Sequence, residues 1–236
     1  MTARIRNVVI ESPDAEGLAE FYVQLLGMQI LRRPPDWMVI GHEGTTPRLA
    51  FDPVGDRWQP PRWPDPDYPQ QIHLDITVPN QAAVEAWLPE AGATLLHHPE
   101  HHVWADPAGH PFCLFEVPGP AKVGSIVIDS ENHQTLAAFY NALLEIPKDN
   151  DWGDWITLDD GSRPRLAFTK IDRHRRPRWP DPSYPQQMHL DISVDNPSIL
   201  QTAERLGAVP LPAMGGSCPV YADPAGHPVC LCLPGQ

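Results

Sequence analysis

Two short strings place a histidine two residues before a carboxylate: His73-Leu74-Asp75 and His189-Leu190-Asp191. An imidazole beside a carboxylate makes a general base or a hydrogen-bonding anchor, because the carboxylate fixes the tautomer and raises the imidazole pKa. The same pair can equally be a satisfied polar contact holding two strands together. Cys113 and Cys230 would be nucleophiles if folded against these histidines, although a thiol in a strand is more commonly a small, inert core residue. Arg48 and Arg165 read as partners of Asp75 and Asp191 across adjacent strands, since a buried charge requires a counter-charge.

Other strings carry less chemistry. HHPEHH at 97–102 has metal-binding residue types, but Pro99 breaks helical i,i+4 pairing, and an exposed loop is expected. RHRRPR at 173–178 lies in a proline-rich stretch and reads as a solvated loop rather than a phosphate site. Trp63 and Tyr68, with Trp179 and Tyr184, sit in two W-P-D-P-x-Y-P-Q-Q connections. Stiff proline-rich loops could hold these aromatics at a cleft mouth for a flat ligand, or could cover sheet edges and glue the halves together; the structural reading is favoured. His110 and His227, in two A-D-P-A-G-H-P strings, read as turn-packing side chains.

The elements that position these residues come in duplicate. RWPDPDYPQQIHLDI (62–76) recurs as RWPDPSYPQQMHLDI (178–192), and ADPAGHPFCL (105–114) as ADPAGHPVCL (222–231), at an offset of 116–118 residues. Two homologous domains follow, 1–119 and 120–236, joined by the Pro/Gly-rich VPGPAKVG at 117–124. In each, an alternating strand leads to a helix; in the first copy Ser12-Pro13 supplies the expected N-cap and first turn, and Gly27 the stop. Three short strands follow (MQILRR, WMVIGH and RLAFD), and then the order repeats: strand QIHLDITV, a helix over 80–91, and strands near TLLHH, HHVWAD and PFCLFEV. Strand parity puts Ile72, Leu74, Ile76 and Val78 under a helix and His73, Asp75 and Thr77 opposite. The same parity sends Asn7, Val9, Arg48, Ala50, Cys113 and Phe115 to that polar face, a candidate small-molecule cleft.

The helix ending FYVQLLGM (FYNALLEI in the second copy), the HLDI strands, the LGA after the last helix and the D-P-A-G-H-P-x-C-L hairpins resemble the vicinal oxygen chelate superfamily, specifically its glyoxalase-like, bleomycin-resistance-type domains. The resemblance spans nearly the whole chain. It implies an α+β fold of two tandem glyoxalase-like domains, each two βαβββ units forming a curved mixed sheet with helices outside. Whether units pair within a half or between halves stays open. Metal-dependent relatives project ligands from the first, fourth, fifth and eighth strands. Those positions fall on Asn7, Ala50, His73 and Cys113 in the first copy and on Ser125, Ala167, His189 and Cys230 in the second. One imidazole and one thiol do not suit a hard divalent ion. Asp75 and Asp191, with His110 or His227 as a second imidazole, could restore a zinc-like set.

The leading expectation is therefore a small-molecule-binding protein with no catalytic metal or cofactor, a divalent ion at His73 or His189 being the lesser option. Such a protein could sequester a metabolite or drug-like compound. The alternative is an enzyme of the same superfamily, a lyase, isomerase or dioxygenase type, using His73 or His189 as acid/base or as ligand of an atypical metal. Beyond the catalytic candidates His73, Asp75, His189 and Asp191, ligand contacts are expected from Asn7, Arg48, Trp63, Tyr68, Cys113, Phe115, Ser125, Arg165, Trp179, Tyr184 and Cys230. The second half, whose last strand ends CLCLP rather than CLFEVP, reads as the weaker binder.

Composition bounds the partners. Thirty prolines are many, but 42% hydrophobic residues still allow real cores. A net charge of −13 argues against a nucleic-acid binder. No stretch approaches the ~20 apolar residues that span a bilayer, and the N-terminus has no signal-peptide pattern. Four cysteines without framework spacing point to a reducing cytoplasm, and a monomer or homodimer is expected.

Overall fold

A computed structural model describes residues 3–33, 37–54, 58–65, 67–68, 70–96, 102–161, 164–179, 181, 183, 186–212 and 216–236. The chain folds as four βαβββ units. The first comprises β1 (Ala3–Ser12), α1 (Ala15–Leu26), β2 (Gln29–Arg32), β3 (Met38–Gly41) and β4 (Arg48–Pro53). The second has β5 (Ile72–Val78), α2 (Gln81–Trp87), β6 (Thr94–Leu96), β7 (Val103–Ala105) and β8 (Pro111–Glu116). The third has β9 (Lys122–Ser130), α3 (His133–Leu144), β10 (Lys148–Asp151), β11 (Trp155–Leu158) and β12 (Arg165–Lys170). The fourth has β13 (Met188–Val194), α4 (Ser198–Arg205), β14 (Val209–Pro210), β15 (Val220–Ala222) and β16 (Pro228–Cys232).

The units pair between the halves. Sheet I runs β14-β15-β16-β13-β1-β4-β3-β2, joining the first unit to the fourth; sheet II runs β10-β11-β12-β9-β5-β8-β7-β6, joining the third to the second. Antiparallel seams β1–β13 and β5–β9 make the joins, with Asn7 opposite Asp191 and Ser125 opposite Asp75. Neither half owns a sheet. This overturns the expected Arg48–Asp75 and Arg165–Asp191 ion pairs, because each arginine is in the opposite sheet from its assigned partner.

Helices cover the aliphatic sheet faces, as parity requires, but those faces are the inside of the molecule. On α1, Tyr22 packs on Phe51 of sheet I (5.7 Å between rings) while Phe21 packs on Phe112 of sheet II (6.1 Å). One continuous core results, in which Val8, Ile10, Leu74, Ile76, Ile126, Leu190 and Leu231 are all within 1% of full burial. Each such side chain contributes roughly 1.5–3 kcal/mol relative to exposure.

Two buried polar knots pin helix to sheet. Tyr22 donates to Asp106 (3.0 Å) and Tyr140 to Asp223 (3.1 Å). Each aspartate also accepts from two backbone N–H groups of its own turn and from the turn histidine, His110 or His227, at Nδ1. Burial alone would raise Asp223, but His227 and those N–H groups outweigh it and hold the carboxyl below its usual range. Both histidines are thus turn anchors, far from any role as a second metal ligand.

The cap of α1 lies two residues beyond the expected Ser12. Helix α1 is capped by Asp14, whose side chain accepts from Gly17 N, and Ser12 accepts from Asp14 N rather than capping the helix itself. Gly27 ends α1 in the left-handed region (φ 64°), and Glu145 takes the same conformation (φ 56°) at the end of α3.

Candidate functional site

The polar face of each sheet carries a row of four side chains across four strands. In sheet I the row is Arg48, Asn7, Asp191 and Cys230, from β4, β1, β13 and β16. In sheet II it is Arg165, Ser125, Asp75 and Cys113, from β12, β9, β5 and β8. Two residues along, Ala50, Val9 and His189 line up in the first cleft, and Ala167, Val127 and His73 in the second. Strand alternation, already legible in the sequence, puts these side chains on one face, and the strand pairing brings them into rows.

At each centre one donor atom from the histidine, aspartate and cysteine lies within 4.8 Å of the others. Nε2 stands 3.6 Å from the carboxylate in both His73–Asp75 and His189–Asp191. Burial would lower both imidazoles, yet the neighbouring aspartate and cysteine reverse it. His73 is pushed up to about 10, helped by Asp129, and His189 rises well above its usual value. Burial would raise Asp191, but His189 and Asn7 Nδ2, which donates to it at 2.8 Å, outweigh it and hold the carboxyl low.

A shell of buried amides and acids stands behind the histidines. The Gln70 amide lies 2.9 Å from His73 Nδ1, whereas Gln186 donates to Glu11. Glu11 and Asp129, at equivalent positions, are raised by desolvation to about 7 and about 6. Gln71 and Gln187 clasp each other's backbone reciprocally (2.9 and 3.2 Å) where the two seams meet.

The walls differ. A cavity of about 500 Å³ opens over the first cleft, lined by His189, Asp191, Cys230, Asn7, Arg6, Arg32, Arg48, Asp52, Leu31, Trp37, Val39 and Trp179, among others. Val9, Val39 and Ala50 form a small apolar cluster there, with Leu31 and Trp37 against it. Burial raises Asp52 at its edge. In the second cleft the positions of Leu31 and Val39 hold Asp149 and Thr157, joined by a 3.3 Å hydrogen bond.

The disulfide Cys218–Cys232 borders the first cleft. It corrects the reading of four unpaired cysteines. Pairing of β15 with β16 sets Val220 opposite Cys230, and the same register brings Cys218 opposite Cys232, with Cα atoms 4.6 Å apart. With that bridge, cysteine usage no longer argues for a reducing compartment.

The remaining expected site residues scatter. Trp179 reaches the first cavity and donates Nε1 to Pro212 O. Trp63 is half-buried in its loop, and Phe115 lies beside Cys113 on β8. Tyr68 is buried beneath Arg175, whose guanidinium sits 4.6 Å from its ring centre, so it serves the contact between the two proline-rich loops. Arg173 pairs with Asp67 in that contact, and Arg165 pairs with Asp159 at 2.8 Å. Tyr184, and 97–101 of the HHPEHH string, lie outside the described residues; His102 is exposed and pairs with Glu85. Arg6, Leu31, Trp37 and Asp52 were missed. Parity along β3 and β4 signals Trp37 and Asp52, whereas Arg6 joins Asn7 only through a register shift in β1.

The metal positions implied by the fold fall in clefts built from both halves. Asn7 and Ala50 join His189 and Cys230; Ser125 and Ala167 join His73 and Cys113. Alanine offers no donor, and the Asn7 amide is directed at Asp191. One carboxylate per centre does not fit Mg, Mn or Fe(II). His, Asp and Cys are zinc-type donors, and with three per centre the set is one short of a closed tetrahedral site.

No membrane-spanning helix exists among the described residues. Solved structures share the architecture. Glyoxalase I from Zea mays superposes with a TM-score of 0.64 at 16% identity, over 98% of this chain and 92% of that one. The cppA protein from Streptococcus pneumoniae gives 0.54 at 9% identity, over 99% and 98%. At such identities the likeness establishes the fold alone. No curated protein matches the sequence. The family described as glyoxalase-like domain matches twice, at residues 7–115 and 125–232, and the chain therefore belongs to that family as a tandem pair within the vicinal oxygen chelate superfamily.

Proposed function

We propose that the first cleft binds a small organic anion with an apolar body, and does so without a divalent ion. The observation that carries this reading is the lining of the 500 Å³ cavity, which sets an apolar wall against a polar His189–Asp191 floor. That volume suits a compact metabolite or drug-like molecule. Arg6, Arg32 and Arg48 surround the opening, and among the described residues no carboxylate pairs with Arg48, which reaches the Thr45 carbonyl at 3.4 Å. An arginine so placed suits a carboxylate, sulfonate or phosphonate. His189, its pKa raised by Asp191 and Cys230, adds a donor at the floor.

The test uses 8-anilinonaphthalene-1-sulfonate, which joins an aromatic body to an anion. Saturable fluorescence enhancement in the presence of EDTA is expected, weakened at least tenfold by Arg48→Met. Absence of a saturable site, or binding lost to chelator and restored by a divalent ion, overturns the reading.

A further inference from the structure

We propose that Cys230 is a nucleophile that captures α,β-unsaturated carbonyl compounds held in the first cleft. The inference rests on that cleft being a ligand site and adds a covalent step to it. Cys230 is a free, partly exposed thiol on the cavity lining, while its strand neighbour Cys232 is locked to Cys218. It is not a lone cysteine. Its sulfur lies within 4.8 Å of donor atoms of His189 and Asp191, and Asp191 is fixed by the Asn7 amide at 2.8 Å. His189, itself 7% exposed, lines the same cavity, and its Nδ1 has no hydrogen-bond partner among the described residues. Its Nε2, 3.6 Å from Asp191, belongs to the same cluster of cavity-lining donors, where a ligand carbonyl oxygen would accept from it.

The chemistry balances with these groups alone. The sulfur forms a C–S bond at the β-carbon, and the C=C π pair moves onto the α-carbon and carbonyl oxygen, where the His189 donor stabilises it. The thiol proton passes to the Asp191 carboxylate as the sulfur attacks, and Asp191 returns one proton to the α-carbon. The net result is addition of S–H across the double bond, with no oxidant and no leaving group. The apolar wall of Val39, Leu31 and Trp37 would hold the carbon skeleton.

Cys113 provides an internal reference. It has the same His73 and Asp75 partners, but the wall positions of its sheet hold Asp149 and Thr157. The full chain, disulfide intact and without reductant, is treated with 4-phenyl-3-buten-2-one and followed by intact mass and peptide mapping. Expected are a single adduct on Cys230, formed at least tenfold faster than on Cys113 and saturating with probe concentration. Cys230→Ser abolishes it, and His189→Gln slows it at least tenfold. Should His189→Gln not fold, Val39→Asp, which leaves the catalytic groups intact but polarises the wall, is expected to remove saturation. Equal labelling of both cysteines at the rate of free glutathione overturns the proposal, as does labelling of Cys230 only after chelator treatment. If 8-anilinonaphthalene-1-sulfonate binds saturably and neither cysteine reacts, the nucleophile is refuted and the binding site stands. If neither binding nor labelling occurs, both fall.

Discussion

The two clefts share their chemistry and differ in their walls. His, Asp, Cys and the flanking glutamine occupy matching positions in both, down to the same 3.6 Å separation of imidazole and carboxylate. The substituted positions are those a ligand would touch: Leu31 against Asp149, Val39 against Thr157, Asn7 against Ser125, and Cys232 against Phe115. Even the matched arginines differ, since Asp159 neutralises Arg165 while Arg48 has no such neighbour among the described residues. Shared residues therefore set the electrostatics of any occupant, and the divergent rims decide which occupant each cleft accepts.

The largest effect should come from what the two sides share. Asp106→Ala and Asp223→Ala each strand a tyrosine hydroxyl, an imidazole N–H and two backbone N–H groups, so each should cost about 3–5 kcal/mol. Urea unfolding of the two variants measures this, and a clear inequality between them breaks the picture of an equivalent scaffold.

The buried acids come next. Glu11 is raised from 4.5 to about 7 and Asp129 from 3.8 to about 6, so between the unfolded and folded values the native state binds the extra proton. Stability is therefore full below about pH 4 and falls as pH rises through this window. Glu11→Gln and Asp129→Asn should each stabilise by on the order of 1–3 kcal/mol at pH 8 and by little at pH 4, read from melting midpoints across pH. His73 acts in the same direction over a higher window: its raised pKa stabilises fully below about 6.5, and that contribution is lost as pH climbs towards about 10.

Exchanging the walls sharpens the contrast most directly. Leu31→Asp with Val39→Thr copies the second cleft into the first, and should weaken 8-anilinonaphthalene-1-sulfonate binding about tenfold, or roughly 1–2 kcal/mol, with the melting point largely kept. Unchanged affinity would show that the rim does not select the ligand. The smallest effect is expected at the helix ends: Glu145→Gly, which copies Gly27, should gain about 0.5–1 kcal/mol by relieving a left-handed non-glycine residue.

The sequence makes the elements and faces readable because period-2 alternation is a local property. His189, Asp191, Cys230, Asn7 and Arg48 could each be assigned to a polar face without knowing their neighbours. Which of them meet is a question of strand pairing, a long-range property that near-identical repeats leave degenerate: β13 could as well have sought β9 as β1. The failed Arg48–Asp75 pair comes from that degeneracy alone. The Cys218–Cys232 bridge was hidden differently, since 14 residues of separation announce nothing until the β15–β16 register is known. Tyr68 shows a third limit. An aromatic on a stiff loop can face a ligand or a neighbouring loop, and only Arg175, 107 positions further along the chain, decides.

The seams between copies carry an evolutionary consequence. A single-copy ancestor with this strand pairing could complete a hollow only by meeting its twin, and any change in its gene would then have appeared in both hollows at once. Fusing two copies into one chain lifts that restriction. Leu31 now alters one chamber and Asp149 the other, so a new specificity can be explored on one side while the other keeps the old one.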